Sequence, residues 1–191
     1  MTPYAALMTF MMIGAAGFVT AGLTAEDQPG LPPISTTVIQ QGSDDNGGDE
    51  AFARKAAEGG AAQVALAELA REKSGDDTVM QTAVRIHADH IKANQTLRIL
   101  ASQKGWQLPS TPGVEAEATR ARLAGLSGTA FDRAYIQAMV NGHQADIKEF
   151  EEEAMRGADA AIRRFASDTL PDLREHLEMA LRSKQMVMAR R

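Results

Sequence analysis

The chain has four histidines, His87, His90, His143 and His176, and three of them sit on apolar stripes. In the stretch AMVNGHQADIKEF, His143 falls between Val140 and Ile147 on a seam that also carries Ile136 and Phe150. His90 stands in the same relation to Ile86 and Leu97, and His176 to Leu173 and Ala180. A fourth stripe, Phe52, Ala56, Gly59, Gln63, Leu66 and Ala70, carries an amide at the matching place. Spacings alternating between three and four are those of seams that meet in a helix bundle. Counted from the connecting turns at 1.5 Å per residue, the paired polar residues differ in depth by roughly 3 and 6 Å. Gln63, His90, His143 and His176 are therefore expected in one layer, with His87 off the seam.

Three neutral imidazoles are ligands for Zn, Cu or Fe, with a fourth position left to water or to the weaker Gln63 side-chain oxygen. Supporting groups are close in sequence. Asp146 and Asn94 lie within a turn of His143 and His90, while Asp89 and Glu175 directly precede His90 and His176. Such groups commonly fix the tautomer of a ligating ring. The same residues fit a plainer reading, a buried layer of neutral histidines bonded to one another, to Gln63 and to water, which costs stability and specifies register. A carboxylate-bridged di-iron centre does not fit. It needs Glu three residues before a histidine on two helices, and those positions hold Val84, His87, Val140 and Leu173. Met139 and Met179, each within a turn of a seam histidine, read as core filler.

The elements that must carry these residues are all helical. Helix A runs from about Asp49 to Ser74, stopped by Gly75. Helix B opens with a capping-box spacing, Thr78 to Gln81, and ends at Gly105, after which Trp106 folds back over its last turn. A short helix spans Val114 to Leu123 in the connection that follows. Helix C begins after Thr129, with Asp132 in its first turn, and stops near Gly157. Helix D starts near Asp159 and bends at Pro171, where Asp168 and Thr169 cap the interrupted turn. Gly59, Gly60 and Gly142 mark close helix approach, and EFEEEA reads as a solvated face. No segment alternates as a strand does. The expected fold is all-α: a four-helix bundle domain over residues 51–188, with a short extra helix in the B–C crossover.

A length of 191 residues suits one sizeable core, and the absence of cysteine excludes disulfides and thiolate chemistry. Residues 1–25 carry no charged side chain, and Leu7 to Val19 is an apolar run of signal-peptide length. Cleavage is expected after Ala21 or Ala25, with an uncleaved membrane anchor over residues 3–23 as the alternative. Residues 26–50 hold Glu26, Asp27, Asp44, Asp45, Asp49 and Glu50 with no base, and read as a disordered acidic linker rich in Pro and Gly. All 20 Lys and Arg fall after residue 50, where they nearly balance the acids. A nucleic-acid partner is therefore not expected. No phosphate-binding Gly loop, paired catalytic carboxylates or Ser–His arrangement occurs.

The ordered motifs AAEGGAAQVALAELA, ADHIKANQTL, LSGTAFDRAYIQAMVNGHQADIKEF and LPDLREHLEMA resemble a bacterial envelope family, domain-of-unknown-function family 4142, over about residues 51–181. The resemblance implies a ferritin-like four-helix bundle and export to the periplasm or outer envelope, and it carries no reaction with it. His90, His143 and His176 match the family's histidines, whereas Gln63 stands where members usually show Glu. Two functions follow. One is an exported bundle binding a single metal ion through a three-histidine layer. The other is a non-catalytic structural or stress-related bundle in which the histidines form only a polar layer. No general base is evident, so an enzyme is not the expectation.

Overall fold

An apolar stripe along a helix is stable only when buried against other such stripes. The computed structural model, which describes residues 46–189, shows five helices arranged in this way. They are α1 (Asn46–Lys73), α2 (Asp77–Gln103), α3 (Val114–Ala124), α4 (Gly128–Arg156) and α5 (Ala160–Ala189). No strand occurs among the described residues. Residues 1–25 and most of the expected linker lie outside them, and α1 already begins at Asn46. None of the described helices is long and apolar enough to cross a membrane.

Helices α1 and α2 form one hairpin and α4 and α5 another, and the ring closes through α2 on α5 and α1 on α4. Contacts at the helix ends give the directions. At one end, Asp49 of α1 accepts hydrogen bonds from the N–H groups of Ala158 and Asp159 in the α4–α5 turn, at 2.9 and 2.7 Å. At the other, Ser74 donates to Asp132 at the start of α4, at 2.6 Å. There too the hydroxyls of Thr82 in α2 and Ser183 in α5 meet at 2.8 Å. All neighbouring helices in the ring are therefore antiparallel, and the chain must travel the bundle's length between α2 and α4. One long crossover of this kind is the ferritin-like arrangement. Helix α3 lies within it, against α1 and α4.

Several local expectations are corrected. Helix α2 is capped by Asp76, whose carboxylate accepts from Thr78 and Val79 N–H at 2.9 and 3.2 Å, instead of by a Thr78 box. A short acidic side chain two residues upstream reaches those donors first. Helix α4 starts at Gly128, and Asp132 serves Ser74. Helix α5 continues unbroken through Pro171. Thr169 donates to the Phe165 carbonyl at 2.7 Å and Asp168 pairs with Arg164, so neither caps a broken turn. The end of α2 is as expected. Gly105 takes φ +72°, and Trp106 N–H returns to the Ala101 carbonyl at 3.0 Å.

The core is divided along its length. One apolar cluster includes Leu66, Val79, Ile86, Phe131, Tyr135 and Ile136. The other includes Ala57, Leu97, Phe150, Ile162, Phe165 and Leu173, so Leu97 and Phe150 share one cluster. Gln63, His90, His143 and His176, all buried, belong to neither. In α1 the innermost stripe before Gln63 is Asp49, Ala53, Ala57 and Gly60, one residue displaced from the expected Phe52, Ala56 and Gly59. The displacement follows from drawing Asp49 inward to cap the α4–α5 turn. Glu153, expected on a solvated face, is 8% exposed, and its Oε1 is buried without a hydrogen-bond partner. Burial, followed by the neighbouring Asp49 carboxylate, raises its pKa to about 7.

Candidate metal centre

Three helices deliver the three seam histidines to one point. The ring centroids of His90, His143 and His176 lie 5.2 to 5.6 Å apart. His143 Nε2 is 3.5 Å from His90 Nε2 and 3.3 Å from His176 Nδ1, and one nitrogen from each ring falls within 4.8 Å of the others. An ion holding nitrogens tetrahedrally at 2.0–2.1 Å separates them by about 3.3–3.4 Å, so both His143 separations match such a site.

The outward bonds decide which atoms face inward. His143 Nδ1–H donates to the Met139 carbonyl at 2.9 Å, leaving the Nε2 lone pair aimed at the cluster. His176 Nε2–H donates to Asp89 Oδ2 at 2.9 Å, which turns Nδ1 toward His143. Asp89 is itself held by Arg85, which also reaches Glu175 at 3.2 Å. Burial alone would raise the Asp89 carboxyl, but the bonds from His176 and Arg85, with the Arg85 charge, hold it below its ordinary value. The two inward nitrogens, His143 Nε2 and His176 Nδ1, thus face each other across 3.3 Å. Protonation is resisted on two of the rings. Burial, then the other two imidazoles, lowers His90 well below its ordinary pKa. Burial takes His143 to about 4, against the opposing effect of its Met139 bond.

The other predicted residues fall into two groups. Asp89 touches a ring, though across helices on His176 and not on its sequence neighbour. Glu175, Asp146, Asn94 and Gln63 hydrogen-bond none of the three rings. Glu175 pairs with Arg85. Gln63 Nε2 donates to Asp146 Oδ2 at 3.4 Å, and Gln63 Oε1 is buried without a partner. The glycines make room for these side chains and not for backbone. A Cβ on Gly142 would sit 2.8 Å from Gln63 Nε2, and one on Gly60 would collide with the Asn94 amide. Met139 is fully buried and contributes its carbonyl to the site. That carbonyl and Arg85 were missed in the sequence. Arg85 was within reach, because Arg at i and Asp at i+4 are neighbours on a helix face.

The arrangement can hold a cation among three ring nitrogens. Beside it lies a cavity of about 20 Å³ lined by His90, Asn94, Gly60 and Asp146 among others, room for one water-sized species.

No curated protein matches the chain. A solved structure, described as the crystal structure of a DUF305 fragment from Deinococcus radiodurans, is similar with a TM-score of 0.65. The match covers 72% of this chain and 95% of that one at 17% identity, and so speaks to fold alone. A family model for a domain of unknown function matches residues 36–182, which takes in the whole histidine cluster. The chain belongs to this family, the Domain of unknown function DUF4142.

Proposed function

We propose that this protein is an exported envelope bundle that binds one metal ion between His90, His143 and His176. The facing nitrogens His143 Nε2 and His176 Nδ1 carry the reading. Their outer partners, Met139 and Asp89, accept from the outward nitrogens, so the inward pair is free to share a cation. Neutral imidazoles suit Zn, Cu or Fe, and the backing of His176 by a carboxylate is a common feature of metal-bound histidine. The uncharged apolar segment before residue 26 supports export. The role is binding or sensing of the ion, without turnover. A second reading keeps a proton on His176, bridging to His143 as part of a structural layer, and the His176–Asp89 pair favours it.

Metal analysis of protein purified without a polyhistidine tag separates the two. Stoichiometric metal that is absent from His143→Ala supports the ion. A metal-free protein that gains no thermal stability from added Zn, Cu or Fe leaves the protonated layer.

A further inference from the structure

The histidine cluster is sealed on all sides by helices, so an ion needs a way in. A groove of about 630 Å³ runs along the outside of α1, α3 and α4, and its wall includes Gly59, Gln63, Gly142, Asp146 and Glu149. Behind that wall lies the small cavity that reaches His90, and it is lined by the same Asp146 and Glu149. Asp146 and Glu149 thus line both groove and cavity. Their attachments suit a passing cation. The Gln63–Asp146 bond is long at 3.4 Å, and Gln63 is 5% exposed with its Oε1 lacking any donor. On the same wall, the Lys55 ammonium already pairs with Glu149. An unsatisfied buried carbonyl beside a carboxylate is a pair of hard oxygen donors that a hydrated cation can satisfy.

We infer that Gln63 and Asp146 form a transient docking point through which a divalent cation passes from the α1–α3–α4 groove to the three histidines. This deepens the metal-binding reading and rests on it. The amide swings from Asp146, its oxygen and the carboxylate take the ion, and the ion moves through the small cavity to His90. Gly59 and Gly142 keep the passage clear, since neither sets a Cβ against these groups. Asp146 then controls how fast the ion arrives and leaves, and the histidines control how tightly it is held.

Cobalt(II) binding to the full chain tests this, read at equilibrium and by stopped-flow absorbance. Asp146→Asn removes the charge at constant shape. It is expected to slow association by about tenfold or more, with dissociation slowed in proportion and the dissociation constant little changed. Gly59→Leu, which hangs an apolar side chain over the Asp146 carboxylate from the groove side, is expected to slow both rates likewise. Unchanged rates in both variants, with cobalt still bound by the wild type and lost in His143→Ala, overturn the docking point and leave the metal reading standing. Faster dissociation with unchanged association in Asp146→Asn also overturns it, because Asp146 would then be a ligand. A wild type that binds no cobalt removes both readings.

Discussion

Two buried polar sites in this bundle treat protons in opposite ways. At mid-length, His90 and His143 are bases whose burial keeps them neutral, so they shed protons even below their ordinary range. At the end near the α4–α5 turn, Glu153 is an acid whose burial against Asp49 also keeps it neutral, so it retains a proton up to about pH 7. The physical cause is shared, the cost of a charge away from water. The difference lies in what each neutral group can then do. A neutral imidazole keeps a lone pair that can serve a cation, whereas a neutral carboxyl can sit beside the Asp49 carboxylate without repulsion. Desolvation thus arms one site for a cation and closes the other with a proton.

The largest effect that can break this comparison is loss of the ion. With metal at 100 times its dissociation constant, the native state gains about 2.7 kcal/mol, read as a rise in melting temperature. His143→Ala should abolish that rise and His87→Ala should leave it, since His87 meets only Glu68 at 3.5 Å. Equal responses from the two variants would dissolve the contrast. Next in size is Asp89→Asn. An amide cannot anchor the His176 tautomer as the carboxylate does, and metal affinity measured by competition should fall by about 10- to 100-fold.

The proton side sharpens the contrast through pH. His143 has a folded pKa below its unfolded value, so its contribution to stability is present above about 6.5 and is lost as pH falls toward about 4. Glu153 has a folded pKa above its unfolded value, so stability is lost as pH rises from about 4.5 through about 7. Metal-free protein is therefore squeezed from both sides. Denaturant titrations of Glu153→Gln should show a gain of about 1–2 kcal/mol at pH 8 and almost none at pH 4. A gain that is the same at both pH values would mean that Glu153 acts through packing instead.

The mid-length layer was legible in the sequence because the heptad spacing fixes which residues face inward, and apolar residues on either side of each histidine, such as Ile86 and Leu97, Val140 and Ile147, and Leu173 and Ala180, mark the stripe. Its depth followed from counting residues. Stripe position in α1 was legible only to within one residue. That helix is crowded with alanine and glycine, and a hydrophobic pattern without contrast cannot choose between Ala56 and Ala57. The Asp89–His176 bond joins different helices, and its pairing depends on α2 lying beside α5, which no local spacing encodes. Glu153 sits among four acids in EFEEEA, and only the cap made by Asp49 explains why that one is turned inward.

The three histidines are far apart along the chain, 53 residues from His90 to His143 and 33 from His143 to His176. They also span both hairpins, since α2 belongs to one and α4 and α5 to the other. The trio therefore cannot assemble until the hairpins have docked, late on the folding path, after most of the loop-closure entropy has been spent. An ion that recognises only the assembled trio leaves the folding barrier nearly untouched and deepens the native well behind it. Metal would then act as a brake on unfolding, lengthening the life of the docked bundle without hastening its formation.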